Sequence, residues 1–176
     1  MLAFVFLIVA VGSRFLPHPL AFTPIGAALL FFGATRPRKE FWIPVLLLGA
    51  SDFYLTVFHY GVAYSPDHFL TLAWYAAICL LGSGLRENRH PLRILGAALT
   101  VSISFFLVSN FAVWAVWNMY PRTLAGLVQC YSAAVPFFRF QPYADGLFTA
   151  AIFGLAAFSQ GSALRTRSAA TSSPSR

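Results

Sequence analysis

Charge is what this sequence has least of. Of its 176 residues only 10% are Asp, Glu, Lys or Arg, and five of those are acidic. Soluble domains carry about 25% charged residues, so a water-exposed globule fits poorly. Cysteine is nearly absent as well. Cys79 and Cys130 both lie in apolar surroundings, which signals neither a disulfide framework nor a zinc site. Catalytic signatures are missing: there is no H-E-x-x-H, no G-x-S-x-G and no phosphate-cradling glycine loop. The GSG at Gly82 to Gly84 closes an apolar run just ahead of basic residues and reads as a helix terminus. Of four histidines only His59 and His68 are neighbours, nine residues apart in a loop, a spacing without helical-face logic. No protein-held metal, no cofactor and no enzymatic activity are expected. Nor does the net charge of +7 point to nucleic acid, because the basic residues are not interleaved along one polar face.

Apolar residues are abundant: 59% are hydrophobic, 17% aromatic, and the mean hydropathy is +0.71. Six apolar segments can be drawn, over residues 2–16, 22–34, 41–58, 69–85, 94–117 and 144–164. The expected fold is an all-α integral membrane protein of six transmembrane helices, with one domain over residues 1–164 and a disordered, basic cytoplasmic tail over 165–176. The opening MLAFVFLIVAVGS lacks a basic n-region and an A-x-A site, so it reads as a short first span, a cleaved signal being the alternative. Between the last two segments lies TLAGLVQCYSAAVPFF, expected to be helical until Pro136 and re-entrant or interfacial. A seventh span is the alternative there.

Lys and Arg accumulate on cytoplasmic loops. The connections after segments two, four and six hold Arg36, Arg38, Lys39, Arg86, Arg89, Arg93, Arg165, Arg167 and Arg176, nine of twelve basic residues. The other connections hold only Arg14, Arg122 and Arg139. Six spans put every basic loop on one side, with both termini cytoplasmic, and the compartment expected is the bacterial inner membrane.

Polar and aromatic residues crowd the opposite loops. The first reads SRFLPHPLAFTP, stiffened by three prolines and carrying His18. The third reads HYGVAYSPDH, with Tyr64, Ser65 and His68, and the fifth adds Arg139. An outward site for a small ligand would require that density. An aromatic belt explains Trp114 and Trp117, but not the histidines and charges. Asp52 sits eleven residues beyond Phe41, hence ~16–17 Å from the inner end of its span at 1.5 Å per residue. A carboxylate at that depth costs ~2.5–3.5 kcal/mol on insertion scales and needs a partner. Asn110 lies at similar depth, on a partial polar stripe with Ser102 and Ser109. Arg139, just after Pro136, is the expected partner of Asp52. A structural hydrogen bond between helices is the plainer role for Asp52.

The blocks SRFLPHPLAFTPIGAALLFFG, ASD, SNFAVW and YPRTLAGLVQCYSAAVPFFR, with the later D-G-L-F, resemble a family of small bacterial transport proteins of unassigned substrate. That family in turn resembles the S components of energy-coupling-factor (ECF) vitamin transporters. The resemblance covers about residues 12–155. It implies a six-helix bundle that captures a vitamin-like small molecule under the outer loops, either with an ECF T component and two ATPases or as a solitary protein. The A-x-x-x-A docking motif of many S components is missing from LAFVFLIVAVGS. The nearest substrate-assigned relatives it resembles are the solitary cobalamin S components, called BtuM, matched at His18, Asp52 and Arg139. Where they carry a cobalt-ligating cysteine this chain has Ser65, a poor substitute for a soft thiolate. Together with the polar residues of the loops and spans singled out above, this makes the expected substrate-binding set His18, Asp52, Tyr64, Ser65, His68, Asn110 and Arg139, and the resemblance implies cobalamin or another corrinoid as the leading substrate. A non-transporting membrane scaffold subunit, with Asp52 and Asn110 as helix glue, is the alternative, and an intramembrane haem protein or enzyme ranks last.

Overall fold

The computed structural model describes residues 1–16 and 23–171, with side chains placed as far as residue 160. Among the described residues it is all-helical. The elements are α1 (Leu2–Ser13), α2 (Ile25–Thr35), a 3₁₀ turn (Arg38–Glu40), α3 (Trp42–Tyr54) running into a π-helical turn (Leu55–His59), α4 (Asp67–Ser83), α5 (Pro91–Val116), α6 (Leu124–Phe138) and α7 (Gln141–Thr171). The chain starts its helices where local chemistry allows. Pro91 occupies the first turn of α5, where its missing N–H is no loss, and the His90 side chain accepts from Leu92 N. Thr123 Oγ1 accepts from Gly126 N at 3.2 Å and opens α6.

The shortest of the α-helices sits at the centre. Every residue of α2 from Gly26 to Ala34 is buried, enclosed by α1, α4, α5 and α7. Phe31 and Phe32 meet Phe6, Phe153 and Phe4 edge-to-face at 5.2–5.5 Å. On the α4 side the contact is backbone on backbone. A Cβ on Gly33 would lie 2.0 Å from the Cys79 carbonyl oxygen, and one on Gly82 would lie 2.2 Å from that of Leu30. The carbonyls that α2 leaves at its C-terminus are taken by the following basic loop. Arg86 Nε donates to Gly33 O at 3.0 Å and Arg89 Nη2 to Ala34 O at 2.9 Å, two cations at the negative end of the helix dipole.

The exterior is apolar. On α5, Leu92, Leu95, Leu99, Ile103, Leu107 and Phe111 follow one another at three- and four-residue steps and are all exposed. α7 shows the inverse face: Ala144, Asp145, Thr149, Ile152, Phe153 and Ala156 are buried in one stripe.

Four expectations are refined. By length and composition two segments, Arg38–His59 and Pro91–Val116, are long and apolar enough to cross a membrane, not six; α1, α2 and α6 are shorter apolar helices. At eleven residues α2 extends only about 16 Å. The segment 124–138 is a full helix that passes through Pro136, since a proline so near the end breaks few hydrogen bonds. Tyr131 Oη donates to Leu107 O and Phe138 packs on Phe106, so α6 runs back beside the C-terminal half of α5. α7 then continues in the same sense, with Asp145 beside Ser102 and Phe153 beside Phe31. Finally, α7 extends to Thr171, seven residues into the segment expected to be a disordered tail, where Arg165, Arg167, Ala169 and Ala170 are all good helix formers. Residues 172–176 lie outside the described residues.

Candidate functional site

One end of the bundle is hollow. A cavity of about 650 Å³ is bounded by the end of α1, the start of α2, the end of α3, the start of α4, the outer part of α5 and the junction of α6 with α7. That is the end formed by the loops poor in Lys and Arg. The loops α2–α3 and α4–α5, which carry Arg36, Arg38, Lys39, Arg86 and Arg89, lie at the other.

Asp52 is the centre of the polar wall. It stands one turn before the end of α3, on the helix's buried side with Leu48 and Ser51. Arg14, just beyond α1, donates from Nη2 to Asp52 Oδ1 and from Nη1 to Tyr75 Oη at 3.1 Å. His68, in the first turn of α4, meets the other carboxylate oxygen, Nδ1 to Oδ2 at 2.9 Å. A carboxylate only accepts, so Nδ1 carries the proton and Nε2 is the remaining ring nitrogen. The three side chains are 10–17% exposed, so this is a half-dry charge cluster with both carboxylate oxygens occupied. Tyr64 stacks flat on the His68 ring, with centroids 4.1 Å apart and planes 14° from parallel. Burial, with the charges of Asp52 and Asp67 adding to it, raises the Tyr64 phenol above its ordinary 10.0, so it acts as a neutral aromatic plate.

A second carboxyl faces the cavity from α7. Asp145 is 3% exposed. Ser102 Oγ donates to its Oδ2 at 2.7 Å, and Gln141 Nε2 reaches the same oxygen at 3.5 Å. Trp74, Phe105, Phe106, Phe137 and Phe138 supply the aromatic walls, and Ser109 and Asn110 the far polar edge.

Of the residues singled out in sequence, Asp52, His68 and Asn110 line this one cavity. Tyr64 belongs to the site through His68 without lining the cavity. Ser65 is turned away: its hydroxyl donates to Asp67 Oδ1. His18 lies outside the described residues. Arg139 does not meet Asp52. Its guanidinium lies over the Phe140 ring at 4.6 Å, because it falls in the break between α6 and α7, and Arg14 takes the role assigned to it. Arg14 was legible as the lone basic residue at the end of the first apolar segment, on the side otherwise poor in charge. Tyr75 and Trp74 carried no signal in sequence, since both read as ordinary aromatic residues of an apolar helix. Among the described residues no three His, Cys, Asp or Glu side chains are grouped to hold a metal ion.

Residues 1–168 match the family of unknown function DUF6580. The chain belongs to that family. The match spans nearly the whole chain, cavity included. No curated protein and no solved structure matches it.

Proposed function

We propose that this DUF6580 protein is an integral membrane protein that binds a small molecule arriving from the extracytoplasmic side, in the manner of a transporter's substrate-binding subunit. The observation that carries the reading is the cavity itself: a polar, charge-lined hollow at one end of a bundle whose outer surface is apolar. Its volume lies within the ~300–1,000 Å³ usual for small-molecule sites. A stripe such as Leu92 to Phe111 on α5 suits lipid, where a water-exposed surface would break it up with charge. The proposed topology keeps six passages, two of them by segments of full spanning length and the others by shorter helices or, for α6 and α7, by one descent broken at Arg139–Phe140. Broken helices with backbone ends beside a cavity are how membrane transporters build ligand sites. The basic loops gather at the end away from the cavity, which supports cytoplasmic termini in a bacterial inner membrane.

The resemblance to S components favours a vitamin-like micronutrient, taken up with a T component and ATPases or alone. A corrinoid is the less well supported member of that class. It exceeds a hollow of this size, and the Ser65 hydroxyl is engaged by Asp67. A scaffold subunit has no need of a hollow lined by partnered charges.

Two measurements test the reading. Mass spectrometry of the protein purified from its native host, in mild detergent, is expected to find a co-purifying small molecule that Asp52→Asn loses. Membrane-impermeant labelling of single cysteines at Lys39 and Ser65 is expected to mark them from opposite faces. Labelling of both from one face would end the proposal.

A further inference from the structure

The formal charges of the cavity do not balance. The chain has three aspartates, Asp52, Asp67 and Asp145, and all three line this one hollow. Among the described residues one arginine, Arg14, lines it with them. One positive against three negative charges leaves −2, or −1 if His68 is protonated, inside a protein whose formal net charge is +7. The two glutamates lie elsewhere, Glu40 paired with Arg36 at the opposite end.

The imbalance is concentrated at Asp145. Asp52 has Arg14 and His68, and Asp67 is only partly buried and takes the Ser65 hydroxyl. Asp145 is 97% buried and has only neutral donors, Ser102 and Gln141, both on Oδ2. No lysine or arginine reaches it among the described residues. Its Oδ1 lies against Gly26, where a Cβ would approach to 2.9 Å, so glycine is what leaves room for the carboxyl. A buried carboxylate without a cation is costly; it either keeps its proton or is met by a cation from outside, and a cationic ligand is what would favour the ionised form. Much of the remaining wall is aromatic, with Phe105, Phe106, Phe137 and Phe138 around the same space. Carboxylate oxygen on one side and aromatic rings nearby suit a nitrogen cation, which aromatic rings attract through their quadrupoles. A metal cation would want oxygen ligands all round.

We infer that the ligand of this cavity carries a positively charged nitrogen, seated on Asp145, which Ser102 holds from behind, and bordered by the phenylalanines of α5 and α6. The inference rests on the binding reading above and narrows its substrate class to organic cations.

The test uses three probes of one shape and different charge: choline, its neutral carbon analogue 3,3-dimethyl-1-butanol, and the anion 3,3-dimethylbutyrate. Each is titrated into the purified full-length protein at fixed ionic strength, followed by thermal unfolding, since a ligand that binds only the folded state raises stability with concentration. Choline is expected to stabilise with dose, the alcohol at least tenfold more weakly, and the anion not at all. Asp145→Asn, nearly isosteric and able to keep a Ser102 bond, is expected to weaken choline about tenfold. Asp67→Asn, at the more exposed rim, folds regardless and is expected to weaken it about twofold to threefold. Equal binding of the alcohol, preference for the anion, indifference to Asp145→Asn, or sodium in place of potassium reproducing the stabilisation would each overturn the inference. Binding of the alcohol or the anion would leave the binding reading standing. If none of the three binds, the inference fails. Labelling of Ser109→Cys by an aqueous reagent then decides whether the cavity reading falls with it.

Discussion

Removing Arg14 isolates the charge cluster on which the site is built. In Arg14→Met the stem is kept and the guanidinium is lost, so Asp52 Oδ1 and Tyr75 Oη both lose their donor. The pair is 15% and 10% exposed, so water can stand in only from the cavity side and only in part. Breaking such a pair from one side costs ~3–5 kcal/mol. The His68 contact to Oδ2 survives and offsets part of this, which leaves about 2–4 kcal/mol. Asp52→Leu leaves the guanidinium buried beside Tyr75 and is expected to cost a similar amount. Together the two changes remove both charges. Arg14→Met/Asp52→Leu is therefore expected to recover at least half of the summed loss, a coupling of about 2 kcal/mol or more. Reversible denaturant unfolding in mixed micelles, monitored by tryptophan fluorescence, reads all four corners of the cycle. Arg139→Ala provides the contrast, at about 0.5 kcal/mol or less, because its guanidinium rests on an exposed ring. Strict additivity of the Arg14 and Asp52 losses, or a larger loss from Arg139→Ala, would refute the assignment of partners.

The close crossing of α2 and α4 makes Gly33→Ala and Gly82→Ala costly, by ~1–3 kcal/mol each, since each Cβ meets a carbonyl oxygen that cannot rotate away. Gly96→Ala, with open space on α5, is expected to gain ~0.5–1 kcal/mol; thermal melts of the three variants side by side check the sign. Thr149 Oγ1 is buried without a hydrogen-bond partner among the described residues, so Thr149→Val is expected to be neutral or to stabilise by about 1 kcal/mol in the same melts. Tyr64→Phe keeps the ring stacked on His68 and is expected to leave ligand stabilisation within about twofold, whereas Tyr64→Leu removes the plate and costs ~0.5–1.5 kcal/mol of it. Equal effects of the two would show that the stack is irrelevant.

Much of the molecule was readable before any coordinates. The apolar runs coincide with α1 to α5 and α7 to within three residues at nearly every start, because a helix that faces lipid or core must be written in apolar residues. The segregation of basic loops from polar-aromatic loops was equally plain, and with it the end at which the site lies. Asp52, His68 and Asn110 stood out as polar groups in apolar or crowded surroundings. What composition cannot carry is rotation and depth. Whether Arg14 or Arg139 answers Asp52 depends on where α1 ends and on the break after Phe138, and both are settled by packing. Whether Asp145 faces lipid, loop or cavity depends on the turn of α7 against α5, which sets it beside Ser102. The linear order of residues determined the helices and the asymmetry of charge, because both are local sums over the chain. Only the tertiary arrangement drew the three aspartates to one hollow, because that requires three helices to meet at one depth and on one face.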